Sequence, residues 1–150
     1  MAISKNEKYM VRKPIFEGGK KGGITGWQNP PMTYMCNGQV PGCNCYLAIS
    51  WIWDVPNPNP VTLEHSHDYD EIVIHMGTDP DKPEDLGGEI EFVVDGESLT
   101  FNTTTALFVP KGMKHGPIIW KKCTRPHIQI AMVMGGGTLK DSAPGGRGMS

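Results

Sequence analysis

The sequence has no long apolar run, no excess of one charge and few cysteines. None of its apolar stretches approaches the ~18–20 residues that span a bilayer, and residues 1–13 carry scattered charges without the apolar core of a signal peptide. Lysine and arginine number 14 against 16 aspartates and glutamates, a formal net charge of −2, which excludes a polybasic nucleic-acid-binding chain. We therefore expect a cytoplasmic protein that contacts neither a membrane nor a nucleic acid.

Several catalytic motifs are also missing. The sequence contains no Gly-x-Ser-x-Gly elbow, no His-Glu-x-x-His pair, no phosphate loop and no dinucleotide fingerprint. The four cysteines, two of them in Cys43-x-Cys45, lack the paired Cys-x2-Cys spacing of zinc ribbons, so we interpret them as thiols and expect no thiolate-bound metal.

Glycine and proline are abundant, and no window has the period of a long amphipathic helix. The 19 glycines and 13 prolines in 150 residues would interrupt long elements and favour many short strands. Asp95-Gly96 predicts a tight hairpin turn. The composition predicts an all-β sandwich or barrel. The predicted strands are 46–53, 61–65, 71–76, 89–94, 98–101, 106–109, 118–120 and 127–134.

The chain divides into three parts. Residues 1–45, rich in Lys, Gly, Pro and Asn, predict an extended arm with short strands, and the glycine-rich residues 135–150 predict a flexible tail. Residues 46–134 hold the predicted strands. Within them we expect the first strand to end at Asp54, before a run of prolines, and residues 77–88 to form an exposed loop.

Histidines and one glutamate carry the chemistry of this sequence. Alternate residues of a strand share a face, so His65 and His67 can aim both imidazoles at one point, and Glu71 can return to that point after a short turn. His115 would be a fourth ligand, delivered by a tight turn at residues 110–112. Three imidazoles and a carboxylate suit Mn, Fe, Co, Ni or Zn, and they leave two positions of an octahedron open for a ligand.

At these residues the sequence resembles a small single-domain member of the cupin superfamily. The first cupin motif, Gly-x5-His-x-His-x3or4-Glu-x6-Gly, is matched by His65, His67, Glu71 and, one residue early, Gly77. The second motif, Gly-x5-Pro-x-Gly-x2-His-x3-Asn, is matched by Pro110, Gly112 and His115. The leading glycines are absent, with Asn59 and Thr104 near their places, and Ile119 replaces the closing asparagine. The resemblance implies a jelly-roll β-barrel over residues 46–134 with a metal at its centre.

Four further residues are candidates for contacts with a bound molecule. Alternation from Glu71 puts His75 on the inward face, where it would move a proton, contact substrate or simply pack in the barrel wall. His127 and Gln129 share a face of the last strand; if that face meets the cavity, His127 would move protons and Gln129 would bind substrate, and the converse orientation is open. Tyr69 would donate a hydrogen bond to substrate or cover the barrel mouth.

We therefore interpret the chain as a metal-dependent cupin enzyme acting on a small organic acid or oxygenated molecule chelated at the metal. Isomerase, lyase or decarboxylase chemistry would follow, or dioxygenase chemistry with Fe(II). The alternative is a non-catalytic cupin that binds or senses a small ligand. A storage barrel is disfavoured because storage needs no set of four ligands. Cupins often pair through N-terminal strands, so we expect a homodimer through residues 1–45 and the face of Trp51 and Trp53, which we assign to core or dimer contact.

Overall fold

Antiparallel β-structure makes up most of the protein. This computed structural model describes residues 4–19 and 23–142. A short 3-10 helix, Glu7–Tyr9, precedes the first strand, and a single helical turn, α1 (Leu139–Ser142), follows the last one. The strands are β1 (Ile15–Phe16), β2 (Thr25–Trp27), β3 (Met32–Met35), β4 (Cys45–Asn57), β5 (Asp70–Gly77), β6 (Asp85–Val94), β7 (Glu97–Thr103), β8 (Thr105–Val109), β9 (His115–Cys123) and β10 (His127–Met134).

The strands form two sheets. The larger has seven strands in the order β1-β3-β4-β10-β5-β8, with β2 also paired to β4, and the smaller has the order β7-β6-β9. All pairings are antiparallel, and the successive strands β7 to β10 alternate between the two sheets. This arrangement agrees with the predicted all-β fold of the cupin jelly-roll type.

The core lies between the two sheets. Its buried members come from both of them and from the segment before β5, and all are apolar: Trp27, Ile52, Val61, Val73, Leu86, Ile90, Phe92, Ile118 and Trp120. Glu71, Val73 and His75 are buried on β5 while Ile72 and Ile74 are less so. The inward alternation predicted for this strand is therefore observed.

The predicted arm contributes strands to the large sheet. β3 and β2 both pair with β4, and Trp27 is only 1% exposed in the core. The prediction that the first strand ends at Asp54 is wrong, because β4 continues through Pro56 to Asn57. Beyond Ile52 this strand pairs with β2 and no longer with β10, and a proline is tolerated where one side of a strand is unpaired.

Two other local predictions are corrected. Residues 61–65 form no continuous strand; only Thr62 and His65 make isolated bridges, to Ile118 and His115. The exposed loop predicted for residues 77–88 is shorter, because β6 begins at Asp85 and Leu86 is fully buried. A single buried leucine in an acidic, glycine-bearing stretch does not produce the alternation of apolar and polar residues that predicts a strand.

The hairpin prediction is confirmed, and the tail is partly described. Asp95 and Gly96 have φ values of 48° and 78°, the two positive angles of a type I′ turn, and Val94 pairs with Glu97. Residues 143–150 of the predicted flexible tail lie outside the described residues. Within residues 4–19 and 23–142, no helix has the length and hydropathy needed to cross a membrane.

The two tryptophans of β4 do not belong to the core of this chain. Trp51 is 43% and Trp53 54% exposed, on the outer face of the large sheet. Trp51 pairs with Ile128 on β10, which in turn pairs with Met76 on β5, so apolar side chains continue across this face. The core assignment offered for these tryptophans is therefore wrong, and the dimer contact stays a prediction.

Candidate metal centre

The four predicted ligands lie together between the sheets. His65 and His115 form an antiparallel bridge in which each N–H donates to the other's carbonyl at 2.9 Å. The His67 carbonyl accepts the N–H of Gly112 at 2.8 Å, which fixes the turn before His115. Glu71 is the second residue of β5 and points inward. The sequence thus brings the three histidines and the glutamate together through one bridge, one turn and one strand.

The ligand atoms are close enough to share one ion. One nitrogen or oxygen from each of the four side chains lies within 4.8 Å of every other. The Oε2 atom of Glu71 is 2.8 Å from Nε2 of His67 and 3.1 Å from Nε2 of His115. Three of the four residues are buried, and His65 is half-buried. This geometry agrees with the predicted metal site.

The other nitrogen of each imidazole is anchored to the backbone. Nδ1 lies 2.9 Å from a carbonyl oxygen in every case: from Leu63 for His65, from Tyr69 for His67 and from Met113 for His115. A carbonyl only accepts, so each Nδ1 carries the proton and donates it. Neutral imidazoles held in this tautomer present an unprotonated Nε2 to the centre, as metal-ligating histidines do.

This tautomer leaves the contacts to Glu71 without a donor. An unprotonated Nε2 and a carboxylate oxygen are both acceptors, yet they lie 2.8 and 3.1 Å apart in a buried place. Such contacts are stable only when a cation lies among the acceptors or when the imidazoles take up second protons. The residues present therefore fit a divalent cation, which would balance the carboxylate and satisfy all the lone pairs at once.

The charge state of the centre follows from burial and mutual contact. Burial raises the pKa of Glu71, but the imidazoles of His115 and His67 outweigh it and lower the pKa to about 2. Burial lowers the pKa of His67, but the Glu71 carboxylate outweighs it and the net change is upward. For His65 burial dominates and lowers the pKa. Glu71 is therefore ionised at neutral pH and ready to bind a cation.

A cavity of about 70 Å³ opens beside the ligands. A water molecule needs about 10–15 Å³, so the space admits several waters or a small ligand. His65, Glu71 and His115 form part of its wall. Its other described lining includes the apolar Ala48, Val73, Phe92, Ile118, Ala131 and Leu139 and the polar Glu17, Tyr46, Ser50, Thr62 and Gln129.

Glu17, Tyr46, Ser50 and Thr62 of this wall were not predicted from the sequence, and Tyr46 and Glu17 are bonded to each other. The hydroxyl of Tyr46 donates to Oε1 of Glu17 at 2.8 Å and is 2.8 Å from the hydroxyl of Thr33. Burial raises the pKa of Tyr46, so its hydroxyl keeps its proton. Strand alternation on β4 places Tyr46 on the same inward face as the buried Ser50 and Ile52, and this pattern could have predicted its position. Glu17 lies outside regular structure and gives no such signal.

His75 is buried among aromatic side chains of the core. It is 1% exposed among the rings of Phe92, Phe101 and Trp120, and its Nε2 has no hydrogen-bond partner among the described residues. Burial, and after it the proximity of His127, lowers the pKa of His75 to about 3. His75 is therefore neutral at ordinary pH, and it is not part of the described cavity wall. Its predicted role in proton transfer stays a prediction.

His127 is fully buried and bonded to a tryptophan. The indole N–H of Trp120 donates to Nε2 of His127 at 2.9 Å, so the His127 proton resides on Nδ1. Burial lowers the pKa of His127, which favours the same neutral form. His127 is likewise outside the described cavity wall, and its catalytic role stays a prediction.

Gln129 and Tyr69 occupy different places. Gln129 lies in the cavity wall, and its Oε1 accepts the indole N–H of Trp27 at 3.3 Å, which leaves the amide nitrogen to face a ligand. Tyr69 packs against the cluster of Cys36, Tyr46 and Val133 under the C-terminal segment. Its backbone carbonyl anchors His67, whereas its side chain is not in the described cavity wall. Roles in substrate contact stay predictions for both.

Known structures show which fold this is. The chain is similar to an RmlC-like cupin from Shewanella frigidimarina, with a TM-score of 0.50 and 15% identity over 79% of this chain and 84% of that one. It is similar to oxalate oxidase with a TM-score of 0.55 and 13% identity over 90% of this chain. The aligned part is 63% of the oxalate oxidase chain. No protein-family model matches the sequence, and neither does any protein of curated function.

The fold is therefore that of the cupins, as the two motifs predict. At these identities the likeness shows the architecture alone. The cluster of His65, His67, Glu71 and His115 adds a candidate metal site inside it.

Proposed function

We propose that this protein is a metal-dependent cupin enzyme that acts on a small oxygenated molecule, such as an organic acid, bound at the ion. The observation that carries the proposal is the set of three imidazoles, each anchored through Nδ1, whose Nε2 atoms face the Glu71 carboxylate. A structural role would not require three acceptors to converge on a fourth. Oxalate oxidase, which shares the fold, has been described in complex with glycolate, and that supports a small oxygen-rich ligand.

The bound ion would supply Lewis acidity toward an oxygen of the ligand. The protein's own residues then decide how the ligand lies. The amide nitrogen of Gln129 and the hydroxyl of Ser50 offer polar contacts on the wall formed by the large sheet, while Phe92 and Ile118 of the small sheet exclude water from the opposite wall. This division favours a ligand with one polar, chelating end and a compact remainder.

Glu17 and Tyr46 are the wall groups best suited to hold or move a proton. The Tyr46 hydroxyl stays protonated and donates a hydrogen bond to Oε1 of Glu17. This bond holds the Glu17 carboxylate in place at the cavity. A positioned carboxylate beside a ligand serves as a general base. Proton abstraction from a carbon next to a polarised carbonyl would give isomerase or lyase chemistry, and with iron the same cavity would suit oxygen-dependent chemistry.

The test is the metal content of the protein purified without a histidine tag. We expect about one equivalent of a divalent transition metal in the wild type, and its loss in His65→Ala, His115→Ala and Glu71→Gln. Glu64→Gln changes an exposed carboxylate next to His65 in the sequence, and it is the matched control that should keep the metal. The absence of metal after reconstitution with Mn, Fe, Co, Ni and Zn would contradict the proposal.

The identity of the metal directs the activity assay. Iron would lead to oxygen consumption with glycolate and related acids, and zinc or manganese to isomerase, lyase and decarboxylase assays. Glu17→Gln should lower turnover while leaving the metal content unchanged. A loaded protein that binds such acids and turns none of them over would favour the ligand-binding alternative.

We also propose that the protein is a homodimer through the outer face of its large sheet. Trp51, Trp53, Met76 and Phe108 are all exposed there. The neighbouring outward positions on β10 and β5 are apolar as well: Ile128, Ile130, Met132, Ile72 and Ile74. An exposed apolar patch of this extent is typical of an interface, and its lack of central charges favours a second copy of the same chain.

The free thiols support the predicted cytoplasmic location.

A further inference from the structure

Two cysteine thiols lie side by side at the start of β4. The Sγ atoms of Cys43 and Cys45 are 3.7 Å apart, and both residues are half-buried free thiols. Two sulfurs bound at about 2.3 Å to one ion, at tetrahedral to trigonal angles, lie about 3.8–4.0 Å apart. The pair is therefore spaced to within a few tenths of an ångström of a bidentate thiolate chelate.

A third sulfur-bearing residue lies opposite this pair on the neighbouring strand. Met134 of β10 is the direct partner of Cys45 in the register of the large sheet. Side chains directly opposite each other share a face with their Cβ atoms about 4.5–5.5 Å apart, and the three flexible bonds of methionine allow its sulfur to reach across that gap. The strand register thus adds a thioether to the two thiols.

The backbone around this cluster is fixed by the last part of the described chain. The Gly135 N–H donates to the Asn44 carbonyl at 2.8 Å, and the Asn37 side chain donates to the Cys43 carbonyl at 3.4 Å. The first bond holds the Cys43–Cys45 segment against the end of β10, and the second holds it against the loop that follows β3. The three sulfurs are therefore presented by a bonded framework rather than by a free loop.

The cysteine spacing predicts no thiolate-bound metal, but the distance between the two thiols and the register of Met134 favour one. We propose that Cys43, Cys45 and Met134 form a second metal site, selective for a soft monovalent ion of the copper(I) class. Thiolate and thioether sulfurs select such ions, whereas the imidazoles and carboxylate at the cavity suit divalent ions. On binding, each thiol releases its proton to solvent, so two thiolates and one monovalent ion leave a single negative charge. The two sites differ in ligand type and so discriminate between ions by chemistry.

The test is a competition for copper(I) against bathocuproine disulfonate, under anaerobic conditions, with the reduced full-length protein. We expect one copper(I) per chain, with affinity lowered at least about tenfold in Cys43→Ser and in Cys45→Ser. Met134→Leu conserves volume and should weaken binding by several-fold. Cys123→Ser removes a thiol outside the cluster and is the matched control, which should bind as the wild type does.

Two further measurements separate this site from the divalent one. X-ray absorption of the copper-loaded protein should show sulfur and no nitrogen ligands, and His115→Ala should bind copper(I) unchanged. The proposal is overturned by nitrogen ligation, by loss of copper in His115→Ala, or by normal binding in either cysteine variant. None of these readouts depends on the proposed enzyme activity.

Discussion

His65 and His115 are joined by two backbone hydrogen bonds, and their imidazole rings are in contact. Each N–H donates to the other's carbonyl at 2.9 Å, and the two imidazole centroids are 4.3 Å apart. This bridge is an isolated one, flanked by no continuous strand on the His65 side. The position of His65 beside His115 therefore depends on this pair of backbone hydrogen bonds.

Gly116 makes that bridge possible, so Gly116→Ala should disrupt the centre. A Cβ atom at this position would lie 2.5 Å from the Leu63 carbonyl oxygen, and the residue has a φ of +93°. Backbone has to move to relieve such a contact, and the segment that moves carries His65. We expect the free energy of unfolding to fall by about 3 kcal/mol and the metal content to drop sharply. Urea unfolding and elemental analysis measure the two effects.

Gly42→Ala is the control for the backbone conformation alone. Gly42 has a similar φ of +90°, but nothing lies within 4 Å of a Cβ added there. Gly42→Ala should lower the free energy of unfolding only by the strain of the left-handed region, about 1–2 kcal/mol, and should leave the metal content intact. Equal effects of the two substitutions would show that the contact with Leu63 plays no part.

The ligand set could be predicted because its members carry strong, local signals. His65, His67 and Glu71 fall within seven residues at the spacing of a known motif, and His115 follows a turn marked by proline and glycine. The hairpin at Asp95-Gly96 was predictable for a similar reason, since both residue types accept positive φ. Signals of this kind do not require the rest of the fold.

Long-range contacts left no comparable signal. Glu17 reaches the cavity wall from outside any regular element, and only the hydrogen bond to Tyr46 shows why it is there. Asn59, which stands near a motif glycine, bonds the Trp120 backbone through both ends of its amide, at 2.8 and 3.2 Å. A side chain that takes the place of a strand partner in this way cannot be predicted from the alternation of apolar and polar residues.

The bond between Trp120 and His127 predicts a structural contribution of this histidine. His127→Leu removes the acceptor of a buried indole N–H, which should lower the free energy of unfolding by about 1–3 kcal/mol. Trp120→Phe removes the donor, and in the double variant neither group is left unpaired. We expect a coupling energy of about 1 kcal/mol in a double-mutant cycle measured by urea unfolding.

The catalytic prediction for His127 is tested by the same variant. A structural role alone predicts that correctly folded, metal-loaded His127→Leu keeps its turnover once an activity is found. Selective loss of turnover in that protein, with the metal content unchanged and the chain fully folded at the assay temperature, would instead support the sequence-based prediction.

Trp51→Glu should dissociate the proposed dimer. Trp51 is exposed in the middle of the apolar outer face, where Ile128 and Met76 continue it across two strands. A charge buried between two copies of this face has no partner, so the interface should be lost. Light scattering after size exclusion should change from twice 16.5 kDa to 16.5 kDa. Leu63→Glu, an exposed apolar side chain outside this sheet, should leave the mass unchanged; a monomeric wild type would contradict the proposal.

His75 predicts a loss of stability in mild acid that is independent of the metal ligands. Its pKa is about 3 in the folded chain against 6.5 for the free side chain, because burial among aromatic rings disfavours the charged form. Between those two pH values the unfolded chain binds the extra proton, so stability falls as pH drops below 6.5. Each pH unit in that window costs about 1.4 kcal/mol, which amounts to about 2 kcal/mol at pH 5.

His75→Leu isolates this contribution. Leucine removes both the proton site and the unpartnered Nε2 while conserving an apolar volume in the core. The metal ligands titrate equally in both proteins, so the difference in the free energy of unfolding between variant and wild type removes their effect. That difference should move in favour of the variant by about 2 kcal/mol between pH 7.5 and pH 5, measured by urea unfolding. A difference that is constant across this range would mean that His75 titrates in the folded protein as it does in the unfolded chain.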